Sequence, residues 1–387
     1  MKIDSTDLNR LKDELKHLVL VSSQSYDPEG VNTVQRYIAQ ELKKLHFKIE
    51  LKSSLLNNTG DLLIATLKNK KHKYVTLVSH ADTVLGLSHF PNFRVLKDGR
   101  RAVGSGVIDD KGGIVVLLEG LRQFLTNNPR IPFGIRVVCS PSEEVGSIGF
   151  HKIYARFAKD SFAILGFEPA LDTGSIINSR RGNRWYQISI KGKSAHAGRS
   201  KGEHVNAAHD LAQKISKLVK LNDFKKETSL NVAQLSGGTE KYNITCAEAS
   251  CKIDIRYSKF EDRERMHKQI KKILKEKYFS LDKKTRSETK YKIVDDCPPF
   301  ASNAKSKMAV QKLIQIISKL EKRKVTAQKA GGAGDVNYMS EQKLIVIDGL
   351  GPVGGGLHTN DEYIHLETLI TRSKALSLFL KYFCTIA

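Results

Sequence analysis

The chain has 387 residues, 40% of them hydrophobic and 27% charged, which is the composition of a folded globular protein and excludes an intrinsically disordered one. Its net charge of +23 favours anionic partners, but the lysines fall in short runs such as Lys271-Lys272 and Lys322-Arg323-Lys324, as on a solvated surface, so no nucleic acid partner is expected. No stretch has the roughly 20 apolar residues of a membrane span and residues 1–10 are polar, so the expectation is a cytoplasmic protein without membrane attachment.

In chain order, Leu8, Leu11, Leu15 and Leu18 recur at helical spacing, and residues 31–45 form a second amphipathic helix. Strand-like apolar runs follow at 62–67, 74–79, 134–140 and 162–167, with an apolar helix over 112–125. Strands alternating with helices predict an α/β fold, a mainly parallel sheet with helices on both faces. The pattern changes after Gly174. Residues 186–190 and 251–257 alternate apolar and polar, as half-exposed antiparallel strands do, with helices predicted at 204–221 and 261–277. From Pro298 the first style returns: helix 306–320, strand 344–347 and a last helix 366–383. The order predicts an α+β unit of residues 180–296 inserted into a catalytic domain made of residues 1–179 and 297–387.

The chemistry-bearing residues collect at strand ends, where such sheets place their sites. One strand runs into His80-Ala81-Asp82, the next segment supplies Asp109-Asp110 at a helix start, and another strand runs into Glu143-Glu144. A fourth leads to Glu168, and a glycine-rich stretch far downstream leads to His358. Singly, each has an ordinary reading: a turn histidine, a helix cap, a solvated carboxylate pair. Together they form the imidazole and carboxylate set of a hydrolytic zinc site, in which a carboxylate can bridge two ions and a spare one can move the proton. The five cysteines show no CxxC spacing, so a metal here would be held by His, Asp and Glu rather than sulfur.

The ordered motifs SHADTV, GSGVIDDKGG, SPSEEVGS, GFEPA, GKSAHAGR, AGGAGD and GPVGGGLHTNDEYI span nearly the whole chain. In them the sequence resembles the zinc-dependent family of glutamate carboxypeptidases, aminoacylases, acetylornithine deacetylase, succinyl-diaminopimelate desuccinylase and tripeptidases, with the glutamate carboxypeptidase branch nearest. The resemblance implies two Zn2+ per chain, with Co2+ or Mn2+ as alternatives. His80, Asp109 and Glu168 would hold one ion, and Asp109, Glu144 and His358 the other. Glu143 would be the general base, Asp82 would orient His80, and the Asp109-Asp110 peptide would be cis. The inserted unit would be a dimerisation lid, so a homodimer is implied, with His196 reaching a partner's site to stabilise an oxyanion.

By the same resemblance Glu168 favours substrates with a free carboxylate beside the scissile amide, since amine-recognising relatives tend to have aspartate there. Arg256 would bind that carboxylate and Asn243 would contact the substrate. Cys297 stands where glutamate-preferring relatives tend to have arginine, so the released residue is left open. The expected substrate is a small peptide or an N-acyl amino acid. A carboxypeptidase is the first expectation. An N-acyl-amino-acid deacylase, an aminopeptidase or tripeptidase, and a non-catalytic basic binding protein are the alternatives.

Overall fold

In a computed structural model that describes residues 5–53, 58–69, 73–88, 92–340 and 344–386, the apolar runs of the first half become a six-stranded sheet. The first four residues of the polar start lie outside the described residues. The strand order is Lys48–Lys52, Leu62–Leu67, Gly134–Ser140, Tyr74–His80, Ser161–Gly166, Ile345–Ile347. The last four are mutually parallel. The run at 62–67, predicted only as a strand, lies antiparallel to both of its neighbours, so one edge of the mainly parallel sheet is antiparallel.

Why these runs are uninterrupted is visible in the burial. Leu63, Ala65, Val75, Leu77, Ile135, Val137, Ala163 and Leu165 point into one core with helices Pro28–Lys44, Lys111–Asn127, Ala304–Glu321 and Glu367–Phe383. The alternate residues Ile64, Thr76, Val78, Val138 and Ile164 point to the other face and are equally buried. That face is met by the helix His151–Asp160 and the short helix Asp335–Tyr338. Each such buried aliphatic side chain contributes about 1.5–3 kcal/mol. Helix Lys111–Asn127 meets Glu367–Phe383 closely enough that a Cβ on Gly120 would lie 2.5 Å from Leu376 Cδ2.

The chain divides into two compact units, Met1–Arg180 with Ala301–Ala387, and Arg181–Phe300. The second unit is a four-stranded antiparallel sheet in the order Ser229–Gly237, Glu248–Tyr257, Gly182–Lys191, Glu288–Cys297. Tyr186, Ile188, Ile190, Cys251, Ile253 and Ile255 face helices Ala207–Leu218 and Phe260–Leu274 through Leu211, Met266 and Ile270. Gln187, Ser189 and Lys191 alternate with them and are exposed. No helix among the described residues is long and apolar enough to cross a membrane.

Candidate metal centre

Four parallel strands end at the same edge of the main sheet, and each delivers a polar segment there. Tyr74–His80 ends on His80 itself. Gly134–Ser140 runs through Pro141-Ser142 into the single 3-10 turn Glu143–Val145. That turn closes tightly because Gly146 and Ser147 adopt left-handed φ values of 89° and 47°. Ser161–Gly166 passes Phe167 to reach Glu168, and Ile345–Ile347 runs into Asp348. Asp109 and Asp110 precede helix Lys111–Asn127, and the peptide between them is cis. Asp110 stands at the cap position but makes no side-chain cap bond. Its carboxylate instead accepts from Ser79 Oγ at 2.5 Å and His80 N–H at 3.3 Å.

His80, Asp109, Glu143, Glu144, Glu168 and His358 come together at this edge. Asp109 lies between the two imidazoles: Oδ1 is 3.1 Å from His80 Nε2, and Oδ2 is 3.3 Å from His358 Nε2. His358 Nε2 is also 3.1 Å from Glu144 Oε2, while His80 Nε2 is 3.7 Å from Glu168 Oε1. Ligand atoms of His80, Asp109 and Glu144 all lie within 4.8 Å of one another, as do those of His80, Glu143 and Glu168. Behind the ring, Asp82 is fully buried, with Oδ1 at 3.3 Å from His80 Nδ1. Asp82 also accepts the N–H groups of Glu143 at 3.0 Å and Glu144 at 3.2 Å, and the Ser25 hydroxyl at 2.7 Å. Asp82 thus holds the ring of His80, whose Nδ1 bonds its backbone carbonyl at 3.0 Å beside its carboxylate, and through that carboxylate the backbone of the Glu143-Glu144 turn.

The electrostatics are those of crowded acids. Burial, then the charge of Asp109, pushes Glu168 up to about 8. Burial likewise raises Glu143 and Glu144, with Glu168 adding to the shift of the former. Hydrogen bonds to Asp109 and Glu144 pull His358 up to about 10. Burial would raise Asp109, but its bonds to His358 and His80 outweigh that and hold it low. Glu144 Oε1 and Asp110 Oδ1 are buried without a hydrogen-bond partner. Carboxylates packed this closely, with unsatisfied oxygens and two imidazoles among them, fit divalent cations: the charge would be neutralised and the free oxygens ligated.

The three residues predicted in the inserted unit lie within the second unit. His196 and Asn243 are exposed and neighbours, with the Asn243 amide 3.2 Å from His196 Nε2. Arg256 is half-buried and donates through Nε to Asp254 Oδ2 at 2.8 Å, whose other oxygen accepts from Trp185 Nε1. Cys297 is buried at the end of its strand. Arg181 of the same unit is pushed down first by burial and then by the charge of Arg256.

Sequence reasoning missed several residues that shape the centre. Arg180 is 7% exposed, donates to Asp348 Oδ2 at 2.5 Å and brings Nη2 to 3.8 Å from Glu168 Oε2. Asp348 follows a strand that had been identified, so the strand-end rule could have found it. Asp335, inside the AGGAGD turn, accepts from Ser147 Oγ at 2.6 Å and Tyr154 OH at 3.3 Å, bracing the left-handed exit of the Glu143-Glu144 turn. Ser25 had no local signal at all.

The pattern of a peptidase dimerisation domain matches residues 178–282, and that of peptidase family M28 matches residues 63–227. Carboxypeptidase G2 from Pseudomonas sp. (strain RS-16) is 27% identical over 362 residues, covering 92% of this chain and 85% of that protein. Among solved structures, an M20 family metallo-carboxypeptidase from Sulfolobus solfataricus superposes with a TM-score of 0.75 at 17% identity, covering 99% of this chain and 100% of that one. Aminopeptidase PepT from Bacillus cereus follows at 0.74 and 22%, covering 97% and 98%. These two show a shared fold. The matched domain patterns, the full-length relatives and the convergent imidazoles and carboxylates together support the M20 aminoacylase and carboxypeptidase family of metallopeptidases, whose members are hydrolases acting on amide bonds.

Proposed function

We propose that the protein is a dinuclear zinc carboxypeptidase that cleaves an amide bond next to a free C-terminal carboxylate. The observation that carries this is the Asp109 carboxylate set between His80 and His358, one oxygen toward each ring. His80, Asp109 and Glu168 would hold one ion, and Asp109, Glu144 and His358 the second. Zinc suits such a nitrogen and oxygen set, and cobalt or manganese could replace it. The ions would polarise the scissile carbonyl and acidify the attacking water. Glu143, raised by burial and left outside both ligand sets, takes the proton from water and returns it to the leaving amine. Asp82 keeps the His80 ring in place through Nδ1, and Arg180 steadies Glu168 from behind.

For the substrate, Glu168 in place of an aspartate supports recognition of a carboxylate rather than an amine. Arg256 would bind that carboxylate as a guanidinium fork, and Asn243 would add a hydrogen bond. The matched dimerisation domain supports a homodimer, in which His196 would serve the partner's reaction. The test is hydrolysis of a mixed panel by zinc-loaded protein, followed by mass spectrometry. The panel holds N-acyl amino acids, dipeptides and tripeptides with free or blocked ends. Cleavage confined to free carboxyl ends supports the proposal, and the panel member preferred separates carboxypeptidase from deacylase. Cleavage that depends on a free amine instead would replace it with an aminopeptidase.

A further inference from the structure

Two of the three ligands that would hold the second ion, Asp109 and His358, come from distant parts of the chain, and a small sheet brings their segments together. Its strands run in the order Gly354–Gly355, Tyr363–His365, Arg101–Val103, Arg94–Val95. The pairing of Tyr363 with Val103 and of Ile364 with Ala102 sets residue 362 beside the loop that climbs to Asp109. There Glu362, 4% exposed, accepts three backbone N–H groups of that loop. Oε2 takes Gly106 at 2.8 Å, and Oε1 takes Ile108 at 2.9 Å and Asp109 at 3.1 Å.

The other end of the same segment is strained. His358 holds a left-handed φ of 62°, a conformation that a residue other than glycine adopts only at a cost the surrounding structure must offset. It is kept there by a turn in which Thr359 N–H donates to Gly356 O at 3.1 Å and Glu362 N–H donates to Thr359 O at 3.3 Å. Glu362 therefore closes the turn that presents His358 and, through its side chain, grips the loop that presents Asp109. A buried carboxylate is tolerated only where donors surround it, and these donors are the loop's own backbone.

We propose that Glu362 is a positioning residue that fixes Asp109 against His358 and so sets the affinity for the second ion. The inference rests on the metal centre proposed above. An ionised carboxylate only accepts, so it can take all three N–H groups; an amide would turn its NH2 on one of them.

The test uses the full chain, stripped of metal and titrated with Zn2+ against a chromophoric chelator, with bound ions counted by elemental analysis after gel filtration. Glu362→Gln is expected to keep one tight ion and to bind the second 10- to 100-fold more weakly, the usual effect of losing an outer hydrogen-bond partner. Ile364→Val, which trims a buried residue of the same small sheet, should lower thermal stability yet leave both affinities unchanged. A purely structural role for Glu362 would make the two variants behave alike. If Glu362→Gln does not fold without metal, Glu362→Asp is titrated with the same criterion, since its carboxylate ends one methylene short of the loop. A wild type with two tight ions beside a variant with the same two affinities overturns the inference alone. A wild type that binds no second ion overturns the metal centre and this inference with it.

Discussion

Replacing Asp82 by alanine should be among the costliest single changes in the first unit. The carboxylate is fully buried and accepts from three donors, Ser25 Oγ at 2.7 Å, Glu143 N–H at 3.0 Å and Glu144 N–H at 3.2 Å, while His80 Nδ1, 3.3 Å from it, bonds the backbone carbonyl of Asp82 at 3.0 Å. The serine hydroxyl can turn to a new acceptor, but the two backbone N–H groups cannot. Leaving each unmet costs about 1–3 kcal/mol, so about 4 kcal/mol is expected for Asp82→Ala. Asp82→Asn keeps one acceptor oxygen and the side-chain volume, and only one N–H then meets an amide NH2, so about 2 kcal/mol is expected. Urea unfolding of the metal-free protein, followed by far-UV circular dichroism, measures both. Equal losses for the two variants would refute the argument, because charge rather than the number of accepted bonds would then govern. A loss under about 0.5 kcal/mol for alanine would refute it outright.

Other expectations follow from the same geometry. Glu143→Gln should bind both ions as the wild type does while lowering kcat by about 10²- to 10⁴-fold, read by elemental analysis beside steady-state kinetics. In the metal-free protein Glu168 is raised by burial to about 8 and His358, through its bonds to Asp109 and Glu144, to about 10. Both folded values exceed the unfolded ones, so their stabilisation is full at low pH and is lost as pH rises; stability should fall from pH 5 to pH 7. Zinc should abolish or reverse that fall, and calorimetry with and without chelator would show it; a metal-free midpoint that climbs over this range would contradict the reading. Gly113→Ala would place a Cβ 1.9 Å from Asp110 Oδ1 and 2.3 Å from Phe167 O, so it should cost about 3 kcal/mol in urea unfolding.

What the sequence could say about this molecule depended on how local the determining forces are. The central strands were legible because burial on both faces demands unbroken apolar runs, as in Gly134–Ser140. The imidazoles and carboxylates that meet at the sheet edge were legible because strand ends in such a sheet converge whatever the details. Direction was not legible: an antiparallel Leu62–Leu67 reads the same as a parallel one. Ser229–Gly237 and Glu288–Cys297 went unseen because most of their residues are exposed at the edges of the sheet, so apolar patterning is weak. The small sheet escaped because two of its strands have two residues each. Arg180 is one half of an ion pair whose other half, Asp348, lies across the inserted unit in sequence, and pairs of that kind leave no local trace.

The interrupted first unit sets an order of events during translation. When Arg180 has been made, Ser161–Gly166 has no neighbour on its outer side and helix Lys111–Asn127 has no Glu367–Phe383 to cover it. At about 5–20 residues per second, the missing pieces arrive roughly 10 to 40 s later, after the whole of the second unit. Over that interval a nascent chain carries an open strand edge and an uncovered apolar helix. Ribosome-bound intermediates stalled between residues 181 and 344 should therefore be strong clients for holding chaperones, and the last of the proposed ligands to leave the ribosome would be His358.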